Sequence, residues 1–277
     1  MKYKAIFIDL DGTLLNNFKR ISQTSVKAIK AAQKRGVLVV INSGRTPYEI
    51  EKILRISSLD LPYVALNGAY IRIPDEKKTI YKKHIEYGLC KEMLHISEKY
   101  KNNSFWYTAR YSYAYHLQRY PKLSKYSLLQ YLYEHVMLLS GRFLRNNNLK
   151  AKLLAGSIGV YKCGFMSADK GKLAAIRKEI DELGRFETAV TAPVFLECNL
   201  KGVTKGSGLE RMMKYFNMSP EEAIAIGDSE NDIPMLQTAG LGIAMANASE
   251  KVKQFAGLLA DTNVHSGVAK IIHQYFL

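Results

Sequence analysis

A short apolar run that ends in two acidic residues opens the chain and constrains its fold more than any other feature. Ala5–Ile8 has the length and composition of a strand buried on both faces, as in a parallel sheet, and Asp9, Asp11 and Gly12 follow it. Ligands of open α/β sheets bind beyond the carboxyl ends of such strands. Alternation along an extended chain puts both carboxylates on one side. The run therefore predicts a site at its end, although Asp11-Gly12 is also a common hairpin turn.

Three later apolar runs are also followed by polar residues, and helical patterns separate them. The runs cover residues 37–41, 63–66 and 223–226. Before the first of them, apolar residues recur at helical spacing over residues 22–35, and Gly36 follows where a helix would end. A chain that alternates strands with helices folds as an α/β protein with right-handed crossovers. The predicted core is therefore a doubly wound, mostly parallel, Rossmann-like sheet.

The pattern changes between residues 84 and 192, where the chain is rich in tyrosine and basic residues. We predict helices here, one of them over 122–139, and paired strands, including a pair at 186–191 and 195–200. Helices combined with antiparallel strands indicate an inserted α+β domain. The expected domains are a core formed by residues 1–83 and 193–277, and an insertion formed by residues 84–192.

Composition indicates a globular protein outside the membrane. The 277 residues are 47% hydrophobic and 23% charged, and their number favours two domains. No apolar run reaches the roughly 18 residues of a membrane helix, and no signal segment precedes the first strand. Cys90, Cys163 and Cys198 are far apart and form neither a disulfide framework nor a metal motif. We expect reduced thiols and a cytoplasmic protein.

The net charge of +15 is concentrated in one part of the chain. Residues 77–185 hold 21 Lys and Arg against 8 Asp and Glu, a net charge of +13. Such an asymmetry bears on partners rather than on fold. Binding of nucleic acid is one interpretation. Because the basic residues are scattered and no binding motif accompanies them, we expect neither a nucleic-acid partner nor a membrane partner.

Four polar clusters follow predicted strands or begin a predicted helix. They are Asp9 with Asp11, Ser43-Gly44-Arg45, Lys205, and Asp228 with Asn231 and Asp232. Each alone has an ordinary explanation, such as a turn, a cap or a solvated lysine. Together they favour a common site, where two carboxylates about 5 Å apart would repel by roughly 3 kcal/mol. Such a cluster needs a cation, and an all-oxygen set favours Mg²⁺. A nearby hydroxyl, lysine and free amides suit a phosphoryl group.

These clusters resemble the motifs of the haloacid dehalogenase-like hydrolases. The matching residues are Asp9-Leu10-Asp11-Gly12-Thr13, Ser43-Gly44-Arg45, Lys205-Gly206 and Gly227-Asp228-Ser229-Glu230-Asn231-Asp232. Three further stretches resemble the Cof-type phosphatases of that family, namely Asn67-Gly68-Ala69, Gly202-Val203-Thr204-Lys205-Gly206 and Ala244-Met245-Ala246-Asn247-Ala248. The insertion is similar to their type-2 cap domain. The resemblance covers nearly the whole chain and is weakest over residues 108–158.

The resemblance implies a role for each matching residue. Asp9 would be the nucleophile that forms an aspartyl phosphate, and Asp11 the acid–base group. Mg²⁺ would be held by Asp9, Asp228 and the backbone carbonyl of Asp11. The residues implied to bind phosphate are Leu10, Ser43, Gly44, Lys205 and Asn231. The supporting residues are Arg45, Asn67, Gly68 and Asp232, of which Asp232 would orient Lys205 or a water rather than bind the metal.

The predicted function is a cytoplasmic, Mg²⁺-dependent phosphatase of small phosphorylated metabolites: sugar phosphates, nucleotides or cofactor phosphates. Two alternatives stay open. One is a phosphomutase on the same scaffold, and the other is a non-catalytic protein that binds phosphate or nucleic acid through the basic cap. The intact set of Asp9, Asp11, Lys205 and Asp228 argues against an inactive site. The sequence identifies neither the substrate nor the oligomeric state.

Overall fold

A computed structural model describes residues 2–74, 76–115, 143–145, 148–192 and 194–277. The chain divides into two compact units, one of Met1–Lys82 with Val203–Leu277 and the other of Lys83–Gly202. The helix predicted over 122–139 lies outside the described residues. Among the helices that the structure describes, none combines the length and apolar character needed to cross a membrane.

The first unit contains eight strands and six helices within its described residues, numbered here along the whole chain. The strands are β1 (Ala5–Ile8), β2 (Leu38–Asn42), β3 (Tyr63–Ala65), β4 (Tyr70–Ile73), β5 (Lys78–Lys82), β12 (Ala223–Gly227), β13 (Leu241–Met245) and β14 (Leu258–Ala260). The helices are α1 (Gln23–Lys34), α2 (Pro47–Ile56), α6 (Lys205–Tyr215), α7 (Ile233–Thr238), α8 (Glu250–Lys253) and α9 (Gly267–Phe276).

These eight strands form one sheet in the order β14-β13-β12-β1-β2-β3-β4-β5. The first six strands in this order run parallel to their neighbours. The last two, β4 and β5, form an antiparallel hairpin at one edge. Because β1 lies between β12 and β2, all four of its residues are buried. The prediction of a doubly wound, mostly parallel sheet is confirmed.

Helix caps fix where the chain turns at the ends of the first strands. The Ser22 side chain accepts a hydrogen bond from the Ser25 amide at 3.1 Å and begins α1. Gly36 follows α1 in the left-handed conformation, with φ of +79°, which glycine adopts without strain. Thr46 and Glu49 form a capping box at the start of α2. Gly36 ends α1 where the sequence predicts it, and Thr followed three residues later by Glu is the sequence pattern of a capping box.

Two features near the carboxyl terminus differ from the sequence-based expectation. The strand β14 was not predicted, because Leu258–Ala260 is too short to show a periodic pattern. The apolar pattern predicts a closing helix over residues 264–276, but the helix begins at Gly267 after a 3₁₀ turn at Asn263–His265. Both differences concern short segments whose conformation depends on pairing with a neighbouring strand or helix.

The second unit contains six strands and three helices within its described residues. They are β6 (Asn103–Tyr107), β7 (Ser112–Tyr115), β8 (Phe143–Arg145), β9 (Lys162–Met166), β10 (Phe186–Ala192), β11 (Phe195–Leu200), α3 (Tyr87–Lys99), α4 (Leu149–Leu154) and α5 (Lys170–Glu182). The strands form one sheet in the order β10-β11-β9-β6-β7-β8. All neighbours are antiparallel except β7 and β8. This is the α+β insertion that the sequence predicts.

The second domain boundary predicted from the sequence is wrong. A boundary after residue 192 would assign β11 to the core, but β11 pairs with both β10 and β9 in the second unit. Since each strand needs its neighbours' hydrogen bonds, the hairpin of β10 and β11 stays in one unit. The second unit ends at Gly202, ten residues later than expected, and begins at Lys83 rather than at residue 84.

A buried ion pair lies within the sheet of the second unit. The Lys162 ammonium is 2.5 Å from Glu197 Oε1, and the two side chains are 2% and 10% exposed. The same ammonium lies 4.3 Å from the centre of the Tyr107 ring. Removing two charges from water is costly, so such a pair stabilises a fold only while both members are present.

This pair makes a testable prediction about the stability of the second unit. Lys162→Met leaves Glu197 buried without its cation, and should lower the free energy of unfolding by about 3–5 kcal/mol. The double variant Lys162→Met with Glu197→Leu should recover most of that loss. Trp106, the single tryptophan of the chain, lies on β6 and reports unfolding of this unit in urea by its fluorescence. Equal losses in the single and double variants would contradict the prediction.

Candidate active site

Three neighbouring parallel strands bring polar residues to one edge of the first unit's sheet. β1 lies between β12 and β2, and Asp9, Asp228 and Ser43 directly follow these three strands. The Asp9 amide continues the ladder by donating to the Ile226 carbonyl at 3.0 Å, and the Ser43 amide donates to Val64 at 2.9 Å. The side chains of Asp9 and Ser43 are buried at this edge.

A buried lysine joins two of the acidic residues. Lys205 is the first residue of α6, and its ammonium donates to Asp9 Oδ1 at 2.7 Å and to Asp232 Oδ1 at 2.5 Å. Burial alone would lower the pKa of Lys205, but Asp232 and Asp9 raise it above its ordinary value. The Asn42 side chain donates to the Lys205 carbonyl at 2.9 Å and anchors this helix start to β2. The lysine therefore stays charged.

Asp9, Asp228 and Asp232 form an acidic cluster. One carboxylate oxygen from each lies within 4.8 Å of the others. Asp232 Oδ2 accepts hydrogen bonds from the amides of Asp228 and Ser229, both at 2.9 Å, while its Oδ1 accepts from Lys205. An ammonium and two backbone amides thus engage the oxygens of Asp232, whereas Asp228 accepts from the hydroxyls of Thr13 and Ser229 at 3.1 and 3.4 Å. Asp9 and Asp228 could supply side-chain oxygens to a cation.

The environment of the cluster fits a divalent cation. Burial, with a smaller contribution from Asp232, raises the pKa of Asp228 from 3.8 to about 7. Burial also raises the pKa of Asp9 well above its ordinary value, although Lys205 opposes the shift. Crowded, buried carboxylates of this kind are the hard oxygen ligands that Mg²⁺ prefers. Gly12 leaves room for them, since a Cβ there would lie 2.2 Å from Asp228 Oδ2.

The Asp11 carboxylate is held by cations instead. Arg45 donates from Nε to Asp11 Oδ2 at 2.6 Å and from Nη2 to Oδ1 at 2.8 Å. The Lys19 ammonium lies 2.8 Å from Asp11 Oδ1. Burial would raise the pKa of Asp11, but the hydrogen bonds and charge of Arg45, with Lys19, hold it well below its ordinary value. The Asp11 carboxylate is therefore ionised and paired with two cations.

Arg45 is itself positioned by the capping box of α2. Its Nη1 lies 3.7 Å from Glu49 Oε1, and Glu49 Oε2 accepts hydrogen bonds from the Thr46 amide and hydroxyl at 3.1 and 2.9 Å. The Arg45 side chain is 10% exposed. The cap of α2 thus also orients the residue that holds Asp11.

The remaining predicted residues lie around the same strand ends. Asn67 has a φ of +57°, its amide donates to the Ser43 carbonyl at 3.1 Å, and its Oδ1 accepts from Asn231 Nδ2 at 3.1 Å. Gly68 packs against Thr204, the residue before Lys205. A Cβ on Gly68 would lie 2.2 Å from the Thr204 carbonyl oxygen. Leu10 is buried behind Asp9, and Gly44 lies between Ser43 and Arg45. All the predicted site residues belong to the first unit.

Three residues at this edge were given no role by sequence reasoning. The Thr13 hydroxyl donates to Asp228 Oδ1 at 3.1 Å. Asn247 Nδ2 donates to the Gly12 carbonyl at 2.9 Å, and Lys19 binds Asp11. Thr13 and Asn247 lie in stretches that resemble motifs of the family, and this resemblance could have identified them from the sequence. No sequence pattern identifies Lys19, because only the turn in the folded chain brings it to Asp11.

Comparison with known proteins identifies the family. The model of a family described as haloacid dehalogenase-like hydrolases matches residues 6–272. The chain belongs to this family. Phosphatase YwpJ of Bacillus subtilis strain 168 is 30% identical, over 97% of this chain and 98% of that protein. The 5-amino-6-(5-phospho-D-ribitylamino)uracil phosphatase YcsE of the same organism is 28% identical, over 99% of this chain and 96% of that protein.

A solved structure and a longer relative complete the comparison. The structure of a haloacid dehalogenase-like hydrolase from B. subtilis has a TM-score of 0.87 and 28% identity, covering 99% of this chain and 100% of that one. A chloroplastic endoribonuclease, YBEY of Arabidopsis thaliana, is 29% identical over 99% of this chain, which spans 47% of that protein. The predicted family, fold class and enzyme class, a haloacid dehalogenase-like phosphatase, are confirmed. The individual residue roles stay predictions.

The raised pKa of Asp228 predicts a pH dependence of stability. In the metal-free protein, the stabilisation of the fold by the protonated Asp228 carboxyl is fully present below about pH 4. It is lost as the pH rises through about 7. Mg²⁺ binds the ionised carboxylates, so millimolar Mg²⁺ should raise the melting temperature more at about pH 8 than at about pH 5. Thermal melts with Mg²⁺ and with chelator measure this difference, which Asp228→Asn should reduce. A Mg²⁺ effect of equal size at both pH values would contradict the assignment.

Proposed function

We propose that this enzyme hydrolyses phosphate monoesters of small metabolites with the help of Mg²⁺, through an aspartyl phosphate on Asp9. The observation that supports this most is the buried Lys205 ammonium held between Asp9 and Asp232. A positive charge locked beside a carboxylate at a strand end gives an incoming phosphoryl group a cation within reach of the nucleophile. We also propose that the enzyme works in the cytoplasm.

In the proposed first step, Asp9 attacks phosphorus. Lys205 engages Oδ1, so Oδ2 is the attacking oxygen. The new bond joins Oδ2 to phosphorus, and the bond between phosphorus and the ester oxygen breaks. The phosphoryl oxygens would be bound by Ser43, the backbone amides of Leu10 and Gly44, Lys205 and Asn231. When bound, Mg²⁺ would supply neutralisation of the charge on the transferring group, held by Asp9, Asp228 and the Asp11 carbonyl.

Asp11 is proposed to move the protons. A protonated Asp11 would give its proton to the leaving oxygen, and the resulting carboxylate would take a proton from the water that attacks the aspartyl phosphate. While paired with Arg45, Asp11 is ionised, which is the form needed for the second step. The first step requires that Asp11 take up a proton and separate from Arg45. Asn67 and Gly68 are proposed to shape the loop behind Ser43 and Lys205.

The substrate class follows from the family and from its named relatives. One relative is named for a phosphorylated ribitylaminouracil, which is a small phosphorylated metabolite. We propose substrates of that general class, among sugar phosphates, nucleotides and cofactor phosphates. A phosphomutase would use the same nucleophile, but it would return the phosphoryl group to its substrate. Free phosphate therefore distinguishes the two reactions.

The test of this function is a phosphate-release screen over such esters, including the substrate named for the relative. Release should require Mg²⁺, stop on chelation and return when Mg²⁺ is added back. Asp9→Asn is the inactive control. Full activity after exhaustive chelation would contradict the metal's role. Isomerised ester without free phosphate would favour the phosphomutase.

The two neighbouring acids should give different signatures when each is replaced. Asp9→Asn removes the nucleophile and should lower kcat by at least about 10³-fold for every substrate, or roughly 4 kcal/mol of barrier. Asp11→Asn keeps the nucleophile, so it should affect an aryl phosphate, whose leaving group needs little protonation, less than an alkyl phosphate. Steady-state rates on both esters measure the contrast. Equal losses in Asp11→Asn would show that Asp11 has another role.

A further inference from the structure

A rigid, exposed turn carries a cation to the acid–base residue. In residues 16–20, the Asn16 amide donates to the Arg20 carbonyl at 3.0 Å, and the Lys19 amide donates to the Asn16 carbonyl at 2.9 Å. Asn16 Oδ1 also accepts from the amides of Phe18 and Arg20, at 3.0 and 3.1 Å. Four hydrogen bonds thus fix the backbone of a short segment and the direction in which Lys19 leaves it.

Lys19 occupies a backbone conformation that does not suit lysine. Its φ is +57°, in the left-handed region where a Cβ clashes with the backbone and which glycine enters freely. The turn therefore keeps a lysine where glycine would give a more stable protein. Lys77 and Lys101 share this conformation, so the φ angle alone does not mark a site, and Lys19 is distinguished by its contact with Asp11.

Holding Asp11 does not account for this lysine. Arg45 already donates to both carboxylate oxygens of Asp11, and Lys19 adds a third bond to an oxygen that is occupied. The Lys19 side chain is 57% exposed, so its ion pair with Asp11 contributes little to stability. An ammonium has three N–H donors, and within the described residues Asp11 is the acceptor of one of them.

The position of Lys19 relative to Asp11 points to the leaving group of the substrate. If Asp11 protonates the leaving oxygen, the two lie about 3 Å apart in the reacting complex. Lys19 Nζ is 2.8 Å from Asp11 Oδ1, so it lies within about 6 Å of the leaving oxygen when Oδ1 carries the proton. This distance reaches groups one or two bonds beyond the ester oxygen. An exposed ammonium there suits a carboxylate or a second phosphate.

We propose that Lys19 is a specificity-determining residue that binds an anionic group of the leaving group, close to the ester oxygen. The assignment rests on the proposed phosphatase function. It narrows the proposed substrates to phosphate esters that carry a second anionic group, attached within about two bonds of the ester oxygen. It places the recognition of that charge on the first unit, at a residue that no motif includes.

The experiment compares three variants on two matched substrates. The substrates are phosphoglycolate, whose carboxylate carbon lies two bonds from the ester oxygen, and its uncharged carboxamide. Lys19→Gly removes the cation and the strain, and Lys19→Arg keeps the cation. Lys77→Gly is the matched control, since Lys77 is an exposed lysine with a φ of +50° in the turn between β4 and β5, at the sheet edge remote from β1.

The wild type should prefer phosphoglycolate by about 10-fold in kcat/KM, a preference typical of one charge-assisted hydrogen bond. Lys19→Gly should lose this preference and Lys19→Arg should retain it. Lys77→Gly should keep the wild-type rates. Both glycine variants should melt roughly 2–4 °C higher than the wild type, because each relieves a left-handed lysine. A gain in stability together with a loss of selectivity excludes misfolding as the cause.

Several results would overturn the assignment. An unchanged preference in Lys19→Gly, or an equal loss on both substrates, would show that Lys19 does not bind the leaving group and acts through Asp11 if at all. A lower melting temperature in Lys19→Gly would show that the lysine serves the fold. If the wild type releases phosphate from no ester, the proposed phosphatase fails and the assignment falls with it. A working phosphatase whose selectivity ignores residue 19 overturns the assignment alone.

Discussion

The placement of one buried cation beside three carboxylates governs the architecture of this site. Lys205 contacts Asp9 and Asp232, and Asp228 completes the cluster. With all three carboxylates ionised, the cluster and Lys205 carry a net charge of −2. A divalent cation would neutralise this charge. Burial makes the net charge unfavourable, as the raised pKa values of Asp9 and Asp228 show. The fold tolerates it because Asn42 and Gly68 tie the start of α6 to the ends of β2 and β3.

Two aspartates only two residues apart have opposite electrostatic environments. Asp9 is buried next to other carboxylates, so its pKa is raised, whereas Asp11 faces a guanidinium and an ammonium, so its pKa is lowered. Alternation along the strand end was expected to put both side chains on one side. In the structure Arg45 and Lys19 engage Asp11, whereas Lys205 engages Asp9, so the two carboxylates have different partners. Residues of one type can take different roles when their surroundings separate their pKa values.

Sequence reasoning succeeded where a local pattern and a general rule were sufficient. The short buried apolar runs and the rule that parallel strands end at the same side of a sheet were sufficient to place Asp9, Ser43 and Asp228 together. The predicted boundary at residue 192 was inconsistent with the strand pair predicted on either side of it, since β10 and β11 are neighbours in one sheet. Sequence reasoning failed where pairing with a distant strand decides the result, because β14 is too short to recognise without its partner β13. The contact of Lys19 with Asp11 depends on a turn whose backbone conformation lysine does not favour, so no propensity could indicate it.

Several unfavourable features of the first unit lie around the end of β1, although left-handed φ angles also occur elsewhere in this unit, at Ser58, Lys77, Asn217 and Ser266. Crowded carboxylates, the left-handed φ of Asn67 and of Lys19, and the close approach of Gly12 to Asp228 all surround the end of β1. Elsewhere in this unit β1 and its neighbours pack as ordinary buried strands. The carboxyl end of a central strand, with rigid parallel strands on both sides, holds strained groups in position at little entropic cost. Asn67 suits its conformation through its short polar side chain, whereas Lys19 does not, and its contact with Asp11 distinguishes it from Lys77, which has a similar φ in a remote turn.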